Sequence, residues 1–511
     1  MLKNLFVALC LFLSVMLEAS WSPPVTISPV NSDSPEVKLD AFGNATAVWK
    51  SFNGSNFIIQ AVTGVYGESW STPVNLSAPG QDANLPELAI DAAGNVVVVW
   101  SRFDGTNHVV QAVTSLTGTP VNLSVSDQDA IFPEVASGPA NVSVAVWMKF
   151  NGTNYFIQAS ERNGTNTWSS PVNLTSPLSG NAVLPQVTVD LNGNAIAIWT
   201  LNTGVNTVVQ AAFRPFGSSW SVPQTISTPL TDNFEVQIAI DPLGRATAVW
   251  RMNNGTNNII QTATFSGGVW SAPQNISVVG LDGFFPQIAV DAQNNAVAVW
   301  QQTVSAHNTI EVVSRIAGVW GTPLNLTTGL QNFVSPMVAV DAAGDAVVTW
   351  KETLIADSAI QAVMHPFNGT WSAISDVSTS GQDSDAPDLA MNARGDAIIV
   401  WRNNFLTQIQ EARGGFFVAP PSSFVGTIVK HRFINRTKYV LQVSWSASLS
   451  PDILFYQVFR DSQLILTVLP TDPFFFEVNF NRKRSATNYT IIAVNVDGIQ
   501  SVPLNIRIAN D

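Results

Sequence analysis

The chain has 511 residues, 46% hydrophobic and only 12% charged, with 23 basic against 36 acidic side chains and a net charge of −13. So few charges among so many apolar residues exclude an intrinsically disordered chain, and the acidic balance argues against a nucleic-acid binder, which displays a basic face. The length suits two to four domains, or one long repeat array with an appendage, at roughly 100–200 residues per domain.

Residues 1–20 carry Lys3, an apolar run from Leu5 to Leu17, and small Ala19 and Ser20. That is the layout of a secretory signal peptide, and a run of about 13 apolar residues is short for a bilayer span. Cys10, the one cysteine, falls inside it. A mature chain without it has no disulfide framework, cysteine nucleophile or cysteine metal site. Later apolar runs are short and broken by Asn, Gly, Pro and Asp, so no transmembrane segment is expected. The expected location is secreted or at the cell envelope.

From residue 21 onward the dominant signal is repetition. A strand ending in Trp recurs at Trp49, Trp100, Trp147, Trp199, Trp250, Trp300, Trp350 and Trp401, at spacings of 47 to 52 residues. A second element, WSxPVNLS-like, begins at Trp21, Trp70, Trp168, Trp220, Trp270, Trp320 and Trp371, and one copy keeps only Thr119 to Ser124. Each unit holds four strand candidates separated by Asn-Gly or Asp-Gly turns. The second strand, as in Val96–Trp100, is apolar on both faces, so it is covered on both sides. A transmembrane barrel would alternate apolar with polar residues. Four strands per unit of about 50 residues predict an all-β, eight-bladed β-propeller over 21–418, and the array resembles kelch-type repeats in architecture. It starts on a fourth-type strand and ends on a third-type one. The N-terminal strand is therefore expected to complete the last blade and close the ring, removing exposed edges.

After Pro421 the repeat vanishes. Trp445, the run Tyr456–Arg460 and the segment Tyr489–Ser501, with Tyr489, Ala493 and Gly498, resemble a fibronectin type III domain, which implies a β-sandwich over 419–511. This part is net basic, and Arg482-Lys483-Arg484 concentrates that charge in a solvated turn or a contact with an acidic envelope component.

A position filled alike in every unit serves the unit. The third-strand Gln (Gln60, Gln111, Gln158, Gln210, Gln261, Gln361, Gln410) is expected to bond backbone, and the Asp at Asp40, Asp91, Asp190, Asp241, Asp291 and Asp341 to hold a tight turn. The recurrent N-x-S/T sequons fall in these repeated turns and strands. Candidate binding residues are those that vary. Phe52, Phe103 and Phe150 mark loops joining second and third strands, where aromatics beside amides suit protein or glycan recognition. At the start of the first strand, Glu36, Glu87, Glu134 and Asp388 form one acidic arc across a closed ring, while the remaining units carry Gln186, Gln237, Gln287 and Met337. Facing a central channel, the arc would hold a cation or a basic segment.

The four histidines have no ligand spacing, and no nucleophile elbow or phosphate loop is present. Neither catalytic residues nor a metal or cofactor are expected. The favoured reading is an exported, non-enzymatic binding or scaffold protein presenting a propeller face to a protein or glycan ligand, with possible envelope association. The alternative is a secreted glycoside hydrolase or lyase with a propeller catalytic domain.

Overall fold

The computed structural model describes residues 21–65, 69–91, 93–164, 167–416, 421–433, 436–448, 453–479, 487–495, 501 and 504–508. The expected signal at 1–20 with Cys10, the 418/419 boundary and Arg482–Arg484 lie outside them. The described residues form strands and turns with no helix, in ten antiparallel sheets.

Eight sheets follow one another from residue 25 to 415, each with the order first-second-third-fourth strand. In sheet 1 these strands are Ser32–Leu39, Ala45–Phe52, Phe57–Gly64 and Val74–Asn75. Sheets 2 to 7 follow to residue 376, two of them with one extra short strand. Sheet 8 takes Ser384–Met391, Asp396–Asn403 and Gln408–Gly415 from the end of the array and Val25–Thr26 from its beginning. Val25 pairs with Glu411 and Thr26 with Gln410.

Stacking explains the two-sided apolar second strand. Val97, Val98, Val99 and Trp100 are all buried because the sheet has a neighbour on each face. The eight strand-ending tryptophans are fully buried in these inter-sheet layers. Sheets 8 and 1 share a core of the same kind, joining Val37, Ala47, Trp49 and Val62 to Ile27, Ala390, Ile398, Val400 and Ile409. The layers thus close on themselves, and the first strands of neighbouring sheets converge along the inner edge.

The recurrent Asp does hold its turn. Asp40 Oδ1 accepts the Phe42 and Asn44 amides at 2.8 and 2.9 Å, and its Oδ2 accepts Asn44 Nδ2 at 2.8 Å. The recurrent Gln differs from expectation, because it bridges side chains. Gln158 Oε1 accepts the Trp147 indole N–H at 3.2 Å while its Nε2 donates to Asn173 Oδ1 at 2.9 Å. Sheet 1 repeats this with Trp49, Gln60 and Asn75. The sequon Asn of the fourth strand is thereby explained as the far end of a relay that fixes the outer strand.

Residues from 422 to 508 make the other two sheets. One orders Ser422–Phe433, Arg436–Ser446 and Phe475–Asn479; the other orders Gln463–Val468, Ile453–Arg460, Thr487–Asn495 and Leu504–Ile508. They share one core, in which Leu441, Val443 and Trp445 meet Tyr456, Val458, Tyr489 and Ile491.

Candidate functional site

Every first strand contains a register shift, between Asp33 and Glu36 in sheet 1 and at the corresponding place in the other seven. The residue inside it has positive φ although none is glycine: Ser34, Leu85, Phe132, Leu184, Glu235, Phe285, Ser335 and Ala386. A bulge of this kind re-aims the side chains that follow it. Here it delivers Glu36, Glu87, Glu134 and Asp388 to the inner edge, beside one another.

Asp388 Oδ2 accepts the Val37 amide at 2.8 Å and lies 3.8 Å from Lys38 Nζ. Lys38 Nζ is also 3.5 Å from Glu36 Oε2. In the next sheets Gln186 Nε2 donates to Glu134 Oε1 at 2.8 Å. Burial pushes Glu36 up to about 7, with Lys38 opposing and Asp388 reinforcing the rise. Glu134 is pushed up to about 8, again by burial first and then by Glu36, against the Gln186 bond and Lys38. Glu87 is raised well above the ordinary carboxylate range by burial and by Glu134, Glu36 and Asp388. For Lys38 burial works against the charge, but Asp388, Glu36 and Glu87 outweigh it and hold the ammonium protonated.

The arc is therefore a set of interacting carboxyls around one cation. Gln186 occupies Oε1 of Glu134, which leaves the acid proton for the other oxygen. A proton donor thus stands near carboxyls that titrate around neutrality, the condition for general acid–base work. Among the described residues, no group of three His, Cys, Asp or Glu is placed to hold a metal ion.

The three phenylalanines lie elsewhere. Phe52 pairs in register with Phe57, Phe103 with His108 and Phe150 with Tyr155, at ring centroid separations of 5.2, 5.4 and 5.1 Å. Phe52 and Phe103 remain 38% and 36% exposed. Each stands four residues beyond the second-strand position opposite the arc, about 13 Å along the strand. They cap their own hairpins rather than join the carboxyls.

Sequence reasoning missed Lys38. Its signal was available, since the same position in the other units reads Ala89, Ala136, Thr188, Ala239, Ala289, Ala339 and Ala390. Gln186 was placed in the position but not recognised as the partner of Glu134.

No family model matches the chain, and no curated protein does. Solved structures do resemble it. An ulvan lyase of polysaccharide lyase family PL25, bound to a GlcA–Rha3S saccharide, aligns at 9% identity over 68% of this chain and 96% of its own, with a TM-score of 0.44. The α-L-arabinanase of Penicillium chrysogenum aligns at 9% identity over 77% and 98%, TM-score 0.37, and the intramolecular trans-sialidase of Ruminococcus gnavus at 9% over 63% and 90%, TM-score 0.36. These propeller-like neighbours are glycan-active enzymes. They run against the expected non-enzymatic binding or scaffold protein and favour its alternative.

Proposed function

We propose that the chain is an exported carbohydrate-active enzyme, a glycoside hydrolase or lyase. Its catalytic part is an eight-bladed β-propeller over 21–418, followed by a fibronectin type III-like sandwich over 419–511, with 1–20 as the export signal. The observation that supports this reading is Glu134, a carboxyl pushed up to about 8 and held by Gln186 within the arc of Glu36, Glu87 and Asp388. Glycosidic cleavage needs a protonated acid at the leaving oxygen and a second carboxyl as base or nucleophile. Lyase chemistry needs a base for a carbon-bound proton and an acid for the departing oxygen. In both, Glu134 is the acid and Glu36 the second carboxyl; in the lyase reaction Lys38 is also the cation beside the negative charge that proton abstraction develops.

The test is a panel of neutral and uronate-containing polysaccharides incubated with residues 21–511, following new reducing ends and the ultraviolet absorbance of an unsaturated product. Cleavage of one substrate, reduced at least ~100-fold in Glu134→Gln, is the expected result for loss of a general acid. Cleavage unaffected by Glu134→Gln, or none on any polysaccharide, overturns the assignment.

A further inference from the structure

The bulge that delivers the carboxyls to the inner edge also sets a second row of side chains beside them. These are the positive-φ residues themselves, each two positions before the arc. In sheets 1, 7 and 8 the place is held by Ser34, Ser335 and Ala386, all small, but in sheets 2, 3 and 4 by Leu85, Phe132 and Leu184. The three large side chains are 38%, 40% and 49% exposed. A left-handed backbone suits glycine or a short polar residue, and water suits neither leucine nor phenylalanine. The scaffold alone therefore does not account for this apolar run.

Its position is specific. Sheets 2, 3 and 4 are consecutive, and their first strands, Ala83–Ile90, Ala130–Ser137 and Asn181–Val189, touch along the inner edge. Two residues further along the same strands come Glu87, Glu134 and Gln186, where Gln186 Nε2 meets Glu134 Oε1 at 2.8 Å. The run thus stands about 7 Å along the strand from the proposed acid and its amide partner. Phe132, in the middle, is available. Ile131 packs into the layer between sheets 3 and 4 and Pro133 is buried, whereas Phe132 joins neither core that sheet 3 shares with its neighbours. Among the described residues its ring meets no other ring, unlike those of Phe52, Phe103 and Phe150. Sheet 6 also has an aromatic at this position, but Phe285 already lies against Phe284, and Gln287 rather than a carboxyl follows it.

We propose that Phe132 is a positioning residue for the reaction proposed above, on which this inference rests: its ring carries the C–H face of the sugar unit whose glycosidic oxygen Glu134 protonates, with Leu85 and Leu184 on either side. The negative face of the ring attracts the weakly positive C–H groups of a pyranose. The sugar's hydroxyls and any carboxylate then point away from the apolar run. The ligand class is a pyranose with an unbroken C–H face, and the bulge fixes its height over the acid, a matter of orientation rather than of proton transfer.

The experiment measures initial rates of residues 21–511 on xylan, β-glucan, galactan, polygalacturonate and alginate for wild type, Phe132→Ala, Phe132→Leu, Phe132→Tyr and Glu134→Gln. Alanine and serine are native at this position in other sheets, so Phe132→Ala keeps the bulge. On the polymer that the wild type cleaves, Phe132→Ala lowers kcat/KM by about tenfold or more, the order of a lost aromatic contact with its buried area. Phe132→Tyr, which keeps the ring face, restores the wild-type value, and Phe132→Leu does not. The pH profile of Phe132→Ala stays that of the wild type, because the titrating carboxyls are untouched. Wild-type kinetics in Phe132→Ala beside an inactive Glu134→Gln overturn the role of Phe132 and leave the acid assignment standing. Full activity in Phe132→Leu, or a shifted pH profile in Phe132→Ala, overturns it too. No cleavage of any of the five polymers, or an active Glu134→Gln, overturns the enzymatic reading and this inference with it.

Discussion

Asp388 Oδ2 accepts the backbone amide of Val37 at 2.8 Å, joining the last sheet to the first across 351 residues. The same carboxylate stands 3.8 Å from Lys38. Asp388→Ala strands a buried N–H group and removes a partner of the lysine, at a cost of about 1–3 kcal/mol. Asp388→Asn keeps an acceptor and loses less. Urea unfolding of both variants checks this, and equal midpoints for Asp388→Ala and wild type would show that the contact does not stabilise the closed ring.

The raised carboxyls set the pH dependence of stability. Glu36 and Glu134 sit at about 7 and about 8 in the folded chain against an ordinary 4.5. Between these values the folded protein binds more protons than the unfolded chain, so stability falls as pH rises. Their contribution is fully present below about 4.5 and is lost as pH climbs through 7 and 8. A lower Tm at pH 8.5 than at pH 6 is expected, with the slope flattened in the Glu36→Gln/Glu87→Gln/Glu134→Gln triple variant. A triple variant with the wild-type slope would place the titration elsewhere.

The side-chain relay through the third strand predicts a sheet-level effect. Gln158→Leu removes the acceptor of the Trp147 indole N–H and the donor to Asn173 Oδ1. The indole is fully buried, so the cost is about 1–3 kcal/mol. Asn173 lies at the exposed outer strand, where water replaces the lost donor. Gln158→Glu, retaining an acceptor, costs less at pH 5 than at pH 8. Thermal unfolding of the two variants at both pH values makes the comparison.

Much of this was legible before any coordinates, for a physical reason. Trp49 and its seven counterparts repeat because each sheet meets the same neighbours, so recurrence alone identified them as core. The first and last units implied that the N-terminal strand completes the last sheet, and Val25 does pair with Glu411 there. The acidic arc was visible too, since Glu36, Glu87, Glu134 and Asp388 break an otherwise uniform position. Their protonation was not, because it depends on burial and mutual repulsion that a string of letters does not carry. Glu411 escaped notice for a different reason. It looks like one more acid beside a Gln, and only the stacking shows that its position belongs to an inter-sheet layer, where five other sheets carry Ala61, Ala112, Ala159, Ala211 and Ala362. For Phe52, Phe103 and Phe150 the letters showed an aromatic at a loop but not its cross-strand partner, which is Phe57, His108 or Tyr155.

The bulges offer the most direct probe of how the inner edge is built. Ala386 holds φ 49° immediately before Pro387, inside the register shift that aims Asp388 inward. A left-handed conformation costs a side-chain-bearing residue about 1–2 kcal/mol. Glycine adopts it freely but loses more entropy on folding, about 0.5–1 kcal/mol. Ala386→Gly therefore comes out neutral to stabilising by up to about 1 kcal/mol, in balance between these two effects. Ala397 is the fitting contrast, buried in the adjacent second strand without positive φ. There glycine relieves no strain and also removes a packed methyl, so Ala397→Gly destabilises by about 1 kcal/mol or more. Opposite signs for one substitution at two neighbouring alanines, measured by chemical denaturation, would establish that the bulge stores strain. Equal destabilisation would mean that the surrounding sheets impose no strain at Ala386, and that Pro387 alone sets the turn.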